Sequence, residues 1–197
     1  MKPQQILKFW FKDVNRKQAP TKELSMFWYG SNIETDQYIK KEFSTVLEDV
    51  KKAAESNPKS LMVNSESALA SIIVLDQFPR NIYRKDPKAF SFDKLSQQLV
   101  QEGLAMGYDK EYLPLELQFF LMPLMHSEDI DLHKIILEKS IQLAKDYPFM
   151  EPFKSFEQSH YDTIAKFKRY PHRNEVLGRE SNPEELEYLK TAERYGQ

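Results

Sequence analysis

An all-α fold is predicted by three features of the sequence. Apolar residues recur at helical spacing along most of the 197 residues, the strict alternation expected of strands is scarce, and 5 glycines with 11 prolines punctuate the periodic segments. The chain is 41% hydrophobic and 29% charged, a composition that folds, and its length suits one domain spanning residues 1–197.

The elements follow in order. "PQQILKFWF" sets Pro3 at a helix start and places Ile6, Leu7, Trp10 and Phe11 on one face. A polar connector, residues 12–21, leads to "TKELSMFWYG"; then "TDQYIKKEFSTVLEDVKKAAES" puts Tyr38, Ile39, Phe43, Val46, Leu47 and Val50 on a stripe that stops before Asn57-Pro58. "SESALASIIVLDQF" is apolar nearly all round, which predicts a central buried helix with Ser65 as N-cap and Pro79 as its end. Asp86-Pro87 reads as cap and first residue of the helix "PKAFSFDKLSQQLVQEGLAMG", closed by Gly103 or Gly107. "PLELQFFLMPLM" starts at Pro114 and is kinked or ended by Pro123 just before His126. Ser127 is the expected cap of "EDIDLHKIILEKSIQLAKDY", with Glu128, Asp129 and Asp131 in its first turn. "EPFKSFEQSHYDTIAKFKRY" stops before Pro171, and "SNPEELEYLKTAER" closes the series. About eight helices joined by short turns favour antiparallel helical hairpins, in a bundle or a short solenoid.

Several function classes are disfavoured. A net charge of −2 offers no long-range field for nucleic acid or anionic lipid. Local cations in "AKFKRYPHRN" match a helix C-terminus better than a nucleic-acid patch. Without cysteine there are no disulfides, thiolate nucleophiles or cysteine-based metal sites. No Gly-rich phosphate loop, Gly-x-Ser-x-Gly or dinucleotide fingerprint is present, so no nucleotide cofactor is indicated and the cofactor is left unknown. The apolar runs are too short to span a bilayer and no secretory signal is legible, so a soluble, cytoplasmic protein with no membrane partner is expected.

Chemistry-bearing side chains concentrate in three stretches at helix ends: "LDQFPRNIYRKDPKAF" (75–90), "PLMHSED" (123–129) and "HYDTIAKFKRYPHRN" (160–174). They read in two ways. In one, Asp76, Arg80, His126, Glu128 and Arg169 are hydrogen-bonded ion pairs that tie loops together. In the other they converge on a cleft for a small anionic molecule. There Arg80, Asn81, Arg169, His172 and Arg173 hold a phosphate or carboxylate, His126 or His160 shuttles a proton, and Asp76 or Glu128 orients the imidazole. Metal is disfavoured: Glu157 and His160 have Glu-x-x-His spacing but no second copy, and a mononuclear set of His126, Glu128 and His160 is a minor alternative. A scaffold gripping an acidic peptide is the rival to the cleft.

The same blocks carry a resemblance. "LDQFPRNIYR" with Asp93 behind it, "MHSED", and "FKRYPHRN" with "LGRESNPEE" closely resemble the signature blocks of the bacterial family of unknown function DUF924, and the early "FWF" and "FWYGSNIETDQYIKKEF" segments are similar to its N-terminal blocks. The resemblance implies an all-α fold of stacked antiparallel hairpins, tetratricopeptide-like, with no reaction attached. Lys168 and Tyr170 stand where the family commonly has Gly and Phe. If that Gly serves close approach to a ligand, the site here is narrower or shifted.

Overall fold

The structure, a computed structural model, describes residues 2–192. Among the described residues nine α-helices follow one another without a strand: α1 Pro3–Phe11, α2 Lys22–Tyr29, α3 Ile33–Ser56, α4 Ser65–Ile82, α5 Asp93–Ala105, α6 Pro114–Met125, α7 Ile130–Asp146, α8 Glu151–Phe167 and α9 Pro183–Tyr188. Short 3-10 turns occupy most of the connectors.

A helix that is apolar on every side must be surrounded, and α4 is. Every residue from Ala68 to Pro79 is buried, and α1, α3, α5 and α6 pack around it. α3 and α4 form one extensively packed pair, α7 and α8 a second that rests on α6. The N-terminal aromatics join this core: Trp10, Phe11 and Trp28 meet the ring of Phe119 from α6 edge-on, and Phe9 and Phe43 contact Phe78 of α4. The indole N–H of Trp28 donates to the Trp10 carbonyl at 2.9 Å, which fastens α2 to α1. The connector is pinned to the start of α6 by an Arg16–Glu116 ion pair.

The prolines act less severely than expected. α4 runs through Pro79 to Ile82, the next turn being closed by the Tyr83 amide on the Pro79 carbonyl at 2.8 Å. Pro79 forfeits one intrahelical bond, but it is enclosed between the buried Phe78 and Ile82, and packing overrides the local preference. Pro123 likewise lies within α6, and His126 forms the C-cap with its amide on Met122. The consequence is functional, because Asp76 and Arg80 now share one helical turn.

Two caps lie one or two residues from their expected places, and a third belongs to a different element. Asn64, not Ser65, caps α4, its side chain accepting from the Ser67 amide at 2.8 Å. Asp129, not Ser127, caps α7 by accepting from the Asp131 amide, while Ser127 accepts from the Asp129 amide one step earlier. α7 therefore starts at Ile130, and Glu128 falls outside it. Asp86 caps only the 3-10 turn at 87–90, and α5 begins afterwards at Asp93. Gly103 does not end α5. It lies inside, where a Cβ would fall 2.8 Å from the Phe120 ring, so it permits close approach of α5 and α6. Gly107, at φ 78°, takes the left-handed conformation beyond the helix end.

Lys168 has a different meaning from the one the family resemblance raised. It is exposed, at φ 60°, and forms the left-handed C-cap of α8. A glycine at this position would serve helix termination rather than approach to a ligand. Among the described residues no helix is long and apolar enough to cross a membrane.

Candidate functional site

The last turn of α4, the C-cap of α6 and the 3-10 turn at Pro171–Arg173 bring the three polar stretches together. Asp76, fully buried, accepts a hydrogen bond from His126 Nδ1 at 2.7 Å and another from the Gln77 amide. Arg80, one turn on, donates from Nη1 to the Asp76 main-chain carbonyl at 2.9 Å and forks onto Asp93 at 3.0 and 3.3 Å. Arg173 reaches in from the opposite side, its Nη1 donating to the His126 carbonyl at 2.9 Å.

Arg173 is poorly compensated. It is 93% buried by its 7% exposure, and its carboxylate neighbour is Asp93 at 3.8 Å, which already takes both prongs of Arg80. The Nε is buried and has no hydrogen-bond partner among the described residues. The guanidinium rests instead on the faces of Tyr170 and Phe90, 4.4 and 4.8 Å from the ring centres. Burial pushes its pKa below the ordinary arginine value, more strongly than Asp93 holds it up.

Burial alone would raise the Asp76 carboxyl, but the charges of His126 and Arg80 and the hydrogen bonds from His126 and Gln77 outweigh it and hold it at about 2. His126 moves down, through burial and the nearby Arg80, against the pull of Asp76. Near neutral pH the pair is therefore a carboxylate facing a neutral imidazole, with the proton on Nδ1. Its Nε2 makes no hydrogen bond among the described residues, and the residue lines a cleft. This is the arrangement a general base requires.

Arg80, His126 and Arg173 border a cleft of 710 Å³, in the range of small-molecule sites. His160 and His172 also line it. His160 donates from Nδ1 to the Phe156 carbonyl at 2.7 Å; burial, against that bond, holds it at about 3. His172 is also held at about 3, by burial and then by the charge of Arg173. Asn81 reaches the rim, where its amide donates to Asp36 at 2.8 Å beside an Arg84–Asp36 ion pair. The remaining wall is largely apolar, drawn from α2, α6 and α8.

Two candidates lie elsewhere. Glu128 accepts two bonds from Arg179, at 2.7 and 2.9 Å, and one from the Tyr170 amide at 2.8 Å. Arg169 donates to Glu185 at 2.6 and 2.8 Å and to the Glu180 carbonyl, and Glu185 also closes a capping box with Asn182. That clasp fastens α9, and the Arg169 bonds draw the Glu185 carboxyl down to about 2. Arg169 and Glu128 are thus placed beside the cleft's supporting wall rather than in it.

Sequence reasoning missed Asp93 as the anchor of Arg80. It also missed the pair His133 and Glu157, both 0% exposed, joined at 2.7 Å behind Tyr170. His133 also donates from Nε2 to the Ser127 carbonyl at 2.9 Å. Its place seven residues after His126, at helical spacing within an apolar stripe, was the only sequence signal. Among the described residues no group of three or more His, Asp or Glu is set to hold a metal ion.

Fold and cleft define an all-α protein whose arginines and histidines meet at the end of a buried central helix. The chain belongs to the bacterial protein family of unknown function DUF924, whose pattern matches residues 6–193. It is similar to a protein of unknown function from Agrobacterium tumefaciens, at 27% identity and a TM-score of 0.78 over 96% of this chain and 97% of that one. No curated protein matches it significantly.

Proposed function

We propose that the cleft binds a small molecule bearing an anionic group, and that His126, oriented by Asp76, exchanges a proton with it or with a water beside it. The observation that carries this reading is Arg173. A buried guanidinium on the cleft wall whose carboxylate neighbour is shared and 3.8 Å away is an expensive thing to keep, and a ligand oxyanion supplies the close counter-charge it lacks. Arg80 is bound bidentately to Asp93 and acts mainly to fix that carboxylate. His160 and His172 are neutral hydrogen-bonding groups in the wall, and Asn81 braces the rim. The charged groups gather around Asp93 and His126 rather than along an extended surface, which favours a small molecule over an acidic peptide.

The reading is tested by calorimetry and thermal shift against carboxylates and phosphates, with Arg173→Met as companion. Binding to the parent that weakens at least tenfold in the variant is expected. Absence of any anion response, or equal binding by both proteins, overturns it. The proton-exchange part is checked by the His126 ring resonances, which should move toward the imidazolium position when the anion saturates the site.

A further inference from the structure

The volume and lining of the cleft say more about the ligand than its charge does. A single water needs about 10–15 Å³ of such space, so an oxyanion head the size of two waters fills only a small fraction of 710 Å³. The rest faces large apolar side chains: Trp28 and Tyr29 from α2, Met122 and Met125 from α6, and Phe153 and Phe156 from α8. Two of these, Tyr29 at 57% and Phe156 at 50% exposure, are open to solvent, although aromatics of this size normally bury their faces. Both line the same cleft as Arg173 and His126.

Charge counting at the inner end narrows the head group. Arg80 and Arg173 face Asp76 and Asp93, and Arg84 is met by Asp36, so with neutral imidazoles the site sums to zero. One proton on His126 brings it to plus one, the complement of a single negative charge. A dianionic phosphate would leave the buried end over-negative.

Resting on the anion-binding reading above, we infer that the ligand is an amphipathic monoanion: an acyl or arylalkyl chain ending in a carboxylate, with the carboxylate between Arg173 and His126 and the chain lying along the α2, α6 and α8 wall. Such a molecule uses both halves of the cleft, whereas a sugar phosphate or a short dicarboxylate would leave the aromatic half wet.

The test is titration of the full chain, followed by calorimetry, with acetate, octanoate, dodecanoate and hexadecanoate below their micellar concentrations, with the corresponding alcohols, and with inorganic phosphate. Affinity should climb with chain length, toward about fourfold per methylene where the chain is fully covered. Dodecanol should bind at least tenfold more weakly than dodecanoate, and Arg173→Leu should abolish that difference. Phe156→Ser, at a half-exposed position that does not threaten folding, should weaken the long acids and leave acetate unchanged. If acetate or phosphate binds as well as dodecanoate, the amphipathic inference falls and the anion reading stands. If dodecanol matches dodecanoate on the parent, or nothing binds, both fall. The comparison of acid with alcohol on the parent decides the matter even should the Arg173 variant fail to fold.

Discussion

Replacing Asp76 by Asn keeps the shape and removes the charge together with one of two hydrogen-bond acceptors, which makes it the sharpest probe of the polar cluster. The carboxyl is held at about 2 against an ordinary 3.8. Each tenfold change in that equilibrium is about 1.4 kcal/mol, so the ionised group contributes about 2 kcal/mol to stability near neutral pH. Because the folded value lies below the unfolded one, this contribution is complete above 3.8 and is lost as the pH falls through about 2. Asn retains the shape and an acceptor for His126 but sets a donor where Asp76 accepts from Gln77, so the expected loss is at least the electrostatic part. For a chain of this size about 2 kcal/mol corresponds to a melting temperature lower by roughly 4–8 °C. The assay is reversible thermal unfolding of parent and Asp76→Asn at pH 7, repeated in steps down to the acid limit of reversibility. The gap between the two should be widest near neutrality and should narrow in the acid range. A variant that melts with the parent at pH 7, or a gap that does not change on acidification, would refute the claim that ionised Asp76 anchors the cluster.

Three further outcomes are expected. Lys168→Gly should stabilise the protein by about 1 kcal/mol, since it relieves a side chain held at φ 60° in an exposed cap; chemical denaturation would show an upward-shifted midpoint with an unchanged slope. Gly103→Ala should cost about 1–3 kcal/mol, because its Cβ would meet the Phe120 ring at 2.8 Å; a melting temperature equal to the parent's would mean that α5 and α6 can separate freely. Glu157→Gln bears on the buried pair with His133. Burial raises the Glu157 carboxyl above its ordinary 4.5, so its favourable contribution exists below that pH and is lost as pH rises through the folded value. The Gln variant should therefore gain relative to the parent at pH 7 and show no gain at pH 4, as read from urea midpoints.

Much of the helical layout was legible because burial leaves a periodic trace. The faces of α1 and α3 and the all-round burial of α4 could be read from Ile6, Leu7, Trp10 and Phe11, from Ile39, Phe43 and Leu47, and from the run Ala68–Leu75. Helix ends were less legible, since Pro79 and Pro123 obey tertiary packing and not their local preference, and since Asn64 and Asp129 compete with adjacent serines for the cap. At the site, Asp76, Arg80, His126 and Arg173 were recognisable as residues in need of partners. Which partner each takes was not. Asp93 meets Arg80 across two elements, Arg169 turns away to Glu185, and no spacing in a single chain encodes either choice. The apolar wall was hidden for another reason: nothing in the local sequence around Phe153 and Trp28 distinguishes a cleft wall from core, and only the packing places both beside a cleft.

α4 is the most enclosed element of the molecule, yet it bears Asp76 and Arg80, while the aromatic wall hangs on α2 and α8 at the periphery. The two halves of the cleft are thus free to change at different rates. Substitutions at the exposed wall positions Tyr29 and Phe156 can accumulate without disturbing the core, so related chains can diverge in what shape they admit, whereas alteration of the inner end must be compensated by the whole fold.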